Sequence, residues 1–161
     1  MWSSSRRNLL VFLALAGCGF RPALGTDGPA QVLVGRIWPA VPQNQSGFDF
    51  VRQIEARLGR VQVRVYDLTY DPVTNAEPVA ITADGATTRY NLTGSVTWTL
   101  VRHADGVRLA GGRVDNFASY SATGSTVAGL AAREDAGRRL MTMLADAVVA
   151  QMLAASPQFA A

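Results

Sequence analysis

The chain has 161 residues, 48% of them hydrophobic, with 15 basic residues against 12 acidic ones and a single cysteine. Every basic residue is arginine, and two of them, Arg6 and Arg7, stand ahead of the first apolar run; without them 13 face 12, a net of +1. That balance gives no case for nucleic-acid binding, a lone cysteine cannot close a disulfide within the chain, and the length suits one domain with its own core.

The N-terminus reads as a leader. Arg6 and Arg7 form a basic n-region and Leu9 to Ala16 a short apolar h-region, the pattern of a secretory signal. The run is too short to span a bilayer, which takes about 20 apolar residues. Leu15-Ala16-Gly17-Cys18 follows and resembles the bacterial lipobox, in which a lipid is attached to the cysteine and cleavage makes that cysteine the first residue. The plainer alternative is an ordinary signal peptide with an incidental cysteine. The lipobox reading makes Cys18 the lipidation site and a membrane anchor, because several acyl chains bind stably where one is marginal. Gly19, in the place where aspartate often marks inner-membrane retention, leaves the outer membrane as the expected destination. The expected organisation is a signal peptide over 1–17, a lipidated N-terminus and tether over 18–29, a domain over 30–155 and a tail over 156–161.

Beyond the tether, residues 31–37 (QVLVGRI) read as a strand apolar on both faces, ended by Pro39 and Pro42. Ser46 and Asp49 have the spacing of a capping box. Phe50, Ile54 and Leu58, with Val51 beside them, recur at helical spacing up to Gly59 as the C′ residue. Val61, Val63 and Val65 alternate with polar residues as in a half-buried strand, which Asp71-Pro72 ends, and 72–87 reads as a loop or an irregular edge strand. The clearest strand follows: Tyr90, Leu92, Val96, Trp98 and Leu100 share one face, and Asn91, Thr93, Ser95, Thr97 and Thr99 the other. Ala104-Asp105-Gly106 predicts a hairpin turn, with the returning strand over 107–120. Gly111-Gly112, roughly opposite Trp98, suggests a bulge or a gap for the indole.

A long helix is predicted over 127–154, with Glu134–Arg138 and Asp135–Arg139 as i,i+4 pairs. Leu140, Leu144, Val148 and Met152 are its buried stripe, and its second half is apolar almost all round, as in a helix covered on more than one side. The order strand-helix-strand-strand-strand-helix predicts an α+β two-layer sandwich: a roughly four-stranded, largely antiparallel sheet with two helices on one face. The sheet's other face would carry the Thr/Ser/Asn row with Arg64 and Arg89.

Catalytic chemistry is hard to find. The one histidine, His103, has no companion ligands at metal-binding spacing and reads as a solvated turn residue. Ser119 and Ser121 lack a Gly-x-Ser-x-Gly setting, Asp67 and Asp71 read as surface carboxylates, and Gly111-Gly112 is followed by no Gly-Lys-Ser/Thr. The sequons at Asn44 and Asn91 are not expected to be glycosylated in a bacterial lipoprotein. No enzymatic activity, cofactor or metal is therefore expected. What remains is arginine placement: Arg89 begins the long strand, Arg102 and Arg108 flank the hairpin tip, and Arg113 follows the glycine pair. Each is either a solubilising edge residue or a contact to an anionic headgroup or a partner's acidic rim.

The motifs taken together resemble a known family. GCGFRP (17–22), TRYNLTGSVTWTLV (88–101), the ADG turn, RVDNFASYS (113–121) and AAREDAGRRL (131–140) are similar to stretches of the LPS-assembly lipoprotein family (LptE, or RlpB-like) and cover nearly the whole domain. These are soft strand and helix patterns with no catalytic signature. RPALG stands where many relatives carry an aromatic residue before the glycine. The resemblance implies an outer-membrane lipoprotein that plugs and stabilises a large β-barrel LPS translocon and assists lipopolysaccharide insertion without covalent chemistry. It makes Arg89 and Arg113 candidates for LPS binding, on position alone, and Arg102 and Arg108 candidates for partner or headgroup contact. Other accessory lipoproteins (a secretin pilotin, a lipid-transporter subunit), a small-solute-binding lipoprotein and, least, an envelope hydrolase are the alternatives.

Overall fold

The structure, a computed structural model, describes Gly25, residues 28–83 and residues 85–159. The leader, Cys18 and most of the tether lie outside these residues. One four-stranded sheet is built in the order β1 (Ile37–Pro39), β2 (Tyr66–Ile81), β3 (Thr87–Arg102), β4 (Arg108–Ser121). β1 runs parallel to β2 and the other pairs are antiparallel. Helices α1 (Gln45–Leu58) and α2 (Thr126–Ala155) pack against each other and on one face of the sheet. This is the α+β two-layer arrangement expected from the order of elements.

The first apolar stretch departs from expectation. Pro29–Val32 form a 3-10 turn and only Ile37–Pro39 pair as a strand. Gly35, at φ +66°, turns the chain between them, and its N–H donates to the carbonyl of Leu58 at 2.7 Å. Ala30 and Leu33 are buried, so the apolar character belongs to a turn packed into the core. The Val61–Val65 alternation likewise marks a connection. Gln62 and Val65 donate to the carbonyls of Gly35 and Arg36, Val63 is exposed, and β2 begins at Tyr66 with Tyr66 and Leu68 facing the core.

β2 then continues through Pro72 and Pro78 to Ile81, paired with β3 almost throughout. Strand interiors exclude proline because it lacks an N–H, unless that position faces away from the neighbour. β1 covers only Tyr66–Leu68 of β2. The Leu68 carbonyl points to that outer side, accepting from the Ala40 N–H at 2.8 Å. Pro72 and Pro78 share its even position, so their nitrogens face the open edge and no ladder bond is lost.

Helix α1 is capped by Asn44, whose Oδ1 accepts from the Gly47 N–H at 2.8 Å, and not by the predicted Ser46. Ser46 is already inside the helix. Gly59, at φ +79°, ends it, its N–H donating to the Glu55 carbonyl. Phe50, Ile54 and Leu58 are fully or nearly buried, and Phe50 stacks on Tyr70 with centroids 4.8 Å apart.

Tyr90 aside, which is half-buried, the predicted apolar face of β3 is buried: Leu92, Val96, Trp98 and Leu100 lie under the helices. The Asp105-Gly106 hairpin forms as predicted, with Gly106 at φ +69°. Trp98 faces Gly112, and the register shift falls at Leu100/Val101. The glycine pair is thus a gap for the indole and not the bulge. The Trp98 Nε1–H donates to Gln151 Oε1 at 3.0 Å. Gln151→Leu deprives that buried ring of its acceptor and is expected to destabilise the fold by about 1–2 kcal/mol, whereas Gln151→Glu, which keeps an acceptor, should leave the urea midpoint nearly unchanged.

α2 spans 30 residues with Ser125 as N-cap. Leu140, Leu144, Val148 and Met152 are fully buried, and Met141, Ala145 and Val149 join them, so the helix is covered on two sides, by the sheet and by α1. Arg139 pairs with Asp135 at 2.9 Å as expected, while Arg138 also turns to Asp135, at 3.4 Å, where a pair with Glu134 was expected. Two residues of the stretch expected as a tail pack into the domain: Ser156 is buried and Phe159 closes the core against Tyr66, centroids 6.0 Å apart.

Candidate functional site

The helices leave one face of the sheet uncovered, and the period-2 alternation of the strands decides what stands there. Arg89, Asn91, Thr93, Thr97 and Thr99 of β3 point outwards, flanked by Asp71, Val73 and Asn75 of β2 and by Arg113, Asp115 and Phe117 of β4. The face is polar and hydrogen-bonded internally: Thr93 Oγ1 donates to the Asn75 carbonyl at 3.2 Å and Ser119 Oγ to Asn91 Oδ1 at 2.6 Å. A depression of about 470 Å³ lies at its middle, lined by Val73, Asn75, Thr93, Arg113, Asp115 and Phe117.

The four predicted arginines are not brought together. Arg113 is 62% exposed and ion-paired with Asp115 at 3.1 Å. It stands beside Thr97, eight residues along β3 from Arg89, a separation of roughly 26 Å at about 3.3 Å per residue. Arg89 is exposed at the far end with no ion pair among the described residues. Arg102 is tied to Asp105 at 3.0 Å; the Val107 N–H, donating at 3.1 Å, and then Arg102 hold that carboxyl below its ordinary range. Arg108 lies on the outer face, its guanidinium in the space a Cβ on Gly111 would need. The arrangement is a spread of cations along the uncovered face and hairpin tip, suited to an extended anionic surface more than to one phosphate.

His103 is less solitary than its sequence position suggests. Its Nδ1 lies 2.8 Å from Asp67 Oδ2, Arg64 Nε donates to Asp67 Oδ1 at 2.7 Å, and the Arg64 guanidinium sits 5.2 Å above the Trp38 ring. Arg64, expected on the polar face, is therefore held at the sheet's β1 end. The Asp67 carboxyl is lowered by Arg64 first, against the opposing effect of partial burial, and further by His103.

A second concavity, about 530 Å³, opens on the helix side between the start of α1 and the first half of α2. Asp49, Leu92, Leu130, Arg133, Glu134 and Arg138 line it. Nothing in the sequence singles out Arg133 for a functional role, and Arg138 stands there only as an ion-pair partner on the helix. Only the packing of α1 beside them makes a groove. Below it, Asp146 joins the two helices: Arg57 Nε and Nη2 donate to its two oxygens at 2.7 and 2.8 Å, and Gln53 adds a third bond at 3.2 Å.

Arg57 is the main reason the Asp146 carboxyl is lowered, against partial burial. A carboxylate whose pKa falls on folding stabilises fully above its unfolded value, near 3.8, and loses that contribution as the pH drops through the folded value. Acid unfolding should therefore steepen below about pH 4, and Asp146→Asn should flatten that limb of a midpoint-against-pH curve while lowering the plateau near neutrality.

Among the described residues no group of histidine, cysteine and carboxylate side chains could hold a metal ion. The class that this geometry defines is structural: an α+β domain whose helices back one face of the sheet and leave an arginine-bearing face uncovered among the described residues. Solved structures share its fold. A protein of Caulobacter crescentus CB15 described as a lipoprotein matches with a TM-score of 0.63 at 21% identity, over 81% of this chain and 94% of that one. The rare lipoprotein B of Shewanella oneidensis matches with a TM-score of 0.60 at 10% identity, over 78% and 98%. Lipoprotein B of Nitrosomonas europaea matches with a TM-score of 0.55 at 12% identity, over 78% and 87%. No curated protein matches by sequence. The profile of LptE, the lipopolysaccharide-assembly family, matches residues 36–152. The chain belongs to the LptE family: it is a lipopolysaccharide-assembly lipoprotein of the bacterial envelope.

Proposed function

We propose that the chain is anchored in the outer membrane through lipid on Cys18, after removal of residues 1–17, and that it seats in a large β-barrel LPS translocon. There it plugs and stabilises the barrel and assists lipopolysaccharide insertion by non-covalent contacts. The observation that carries this reading is the uncovered polar sheet face, with Arg89 and Arg113 exposed on it. Guanidinium groups bind phosphate through strong, charge-assisted and often bidentate hydrogen bonds, so engagement of a phosphorylated sugar headgroup needs no catalytic residue. The tether over 18–29 is at most about 40 Å long when extended, which keeps the domain beside the membrane.

The test is a pull-down of the full-length, C-terminally tagged protein from its own host after solubilising the outer membrane in mild detergent. A stoichiometric large β-barrel with LPS in the same fraction is the expected result; a secretin or a transporter in its place would reject the pathway while leaving the fold intact. Cys18→Ala should move the protein from the membrane to the soluble fraction. Arg89→Ala with Arg113→Ala should reduce LPS recovery without reducing barrel recovery.

A further inference from the structure

Charge is not spread evenly over the domain. Among the described residues, five arginines (Arg36, Arg60, Arg64, Arg102, Arg108) face three carboxylates (Glu55, Asp67, Asp105) at the end where β1 starts and the β3–β4 hairpin turns; elsewhere seven face seven. Backbone hydrogen bonds gather the segments of this end. The Gly35 carbonyl accepts from the Gln62 and Val63 N–H groups, the Val65 carbonyl from His103, and the Val107 carbonyl from Arg102. The chain also enters the domain here, through the turn Pro29–Val32 that leads to Leu33 and Gly35.

Between these charges Val34, Trp38, Val63 and Val107 are exposed, and the Arg64 guanidinium lies 5.2 Å from the centre of the Trp38 ring. Exposed valines and an indole set among arginines suit a bilayer surface. Apolar side chains enter the acyl boundary, tryptophan favours the headgroup level, and cations are drawn to anionic headgroups. The opposite end exposes Val79, Ile81 and Val127 as well, so hydrophobicity alone does not choose between the ends. Tether length does. The 16 residues of β2 separate the two ends by about 50 Å, farther than a tether of at most about 40 Å lets the far end turn to the bilayer.

We propose that the β1 end of the domain rests on the anionic phospholipid surface that holds the anchor. Trp38 and the exposed valines lie at the acyl boundary, and Arg36 and Arg60, both exposed, meet headgroup phosphates. This placement rests on the reading of Cys18 as the lipidated residue. It leaves the uncovered sheet face, with Arg89 and Arg113, to its own ligand. It also suits a single copy seated in a barrel: the end from which the tether leaves stays at the mouth, since the tether must reach the bilayer outside.

The full-length lipoprotein reconstituted in vesicles tests this. Acylation of Cys18, the only cysteine, leaves an introduced cysteine as the sole free thiol. A nitroxide can then be attached to Val63→Cys or, as the distant control, to Ile81→Cys. On vesicles of phosphatidylcholine mixed with phosphatidylglycerol, the label at 63 should relax with oxygen, which concentrates in lipid, and the label at 81 with a water-soluble nickel chelate. Adding Arg36→Glu and Arg60→Glu to the Val63→Cys chain should raise its nickel accessibility several-fold, and so should vesicles of phosphatidylcholine alone. Quenching of Trp38 by brominated lipid, read against Trp38→Phe, gives the same answer without a label should Val63→Cys fail to fold. An acylated chain whose label at 63 stays in water on the mixed vesicles overturns the proposal and leaves the basic end to an acidic protein partner; lipid contact at 81 in its place overturns it too. Mass spectrometry of the purified chain keeps the two readings apart: an unacylated Cys18 overturns the anchor itself, and this placement with it.

Discussion

Gly94→Val is expected to destabilise the domain by about 3 kcal/mol, as insertion of side-chain volume into a packed core does. Gly94 sits in the middle of β3 on the helix side, and a Cβ there would meet Leu140 Cδ2 at 2.9 Å, Leu140 Cγ at 3.3 Å and Leu144 Cδ1 at 3.2 Å. Leu140 and Leu144 are fully buried, so neither can swing aside without displacing others. The valine must push α2 away from the sheet. Because the clash has a named partner, it should be relieved by making room. Leu140→Ala in the same chain loses less stability than the two single losses together, a coupling that double-mutant cycles in guanidinium unfolding measure directly. Strict additivity would place the strain elsewhere.

Phe50→Ala is expected to be the most damaging single truncation in α1, at about 4 kcal/mol, combining lost burial with the cavity left behind. The ring is fully buried and stacked on Tyr70, whose hydroxyl donates to the Ala40 carbonyl at 3.1 Å. Phe50 therefore holds three things at once: the helix, β2, and the chain leaving β1. Phe50→Leu, which keeps most of the volume, should recover more than half of the loss. Thermal unfolding of the pair separates a packing effect from a loss of helix propensity, since leucine and alanine are both good helix formers.

Much of this fold is legible in the sequence. β3 and its hairpin are written in strict alternation and an Asp-Gly turn, α1 in Phe50, Ile54 and Leu58, and α2 in a stripe from Leu140 to Met152. The signals are local and strong because each element buries one face against the same core. Where alternation and burial separated, reading failed. Val61, Val63 and Val65 alternate like a strand, yet the N–H groups of Gln62, Val63 and Val65 donate to the carbonyls of Gly35 and Arg36 and the ladder starts at Tyr66. Asp71-Pro72 reads as a strand end, with a loop or an irregular edge strand beyond it; the edge strand is what forms, because whether a missing N–H matters depends on which side the neighbour lies, and no residue in β2 states that.

The candidate site divides along the same line. Local order along the chain was enough to put Arg89 on the polar sheet face, since a strand's two faces are a matter of spacing, but it put Arg64 there too, which the structure holds against Asp67 and Trp38. It could not supply the 26 Å or so between Arg89 and Arg113, the tie from His103 to Asp67 thirty-six positions earlier, or the groove between α1 and Arg133 and Arg138. Those depend on which strands become neighbours and how far the helices overlap them. Side-chain alternation is set residue by residue, whereas registry between distant segments is set by the packing of the whole core.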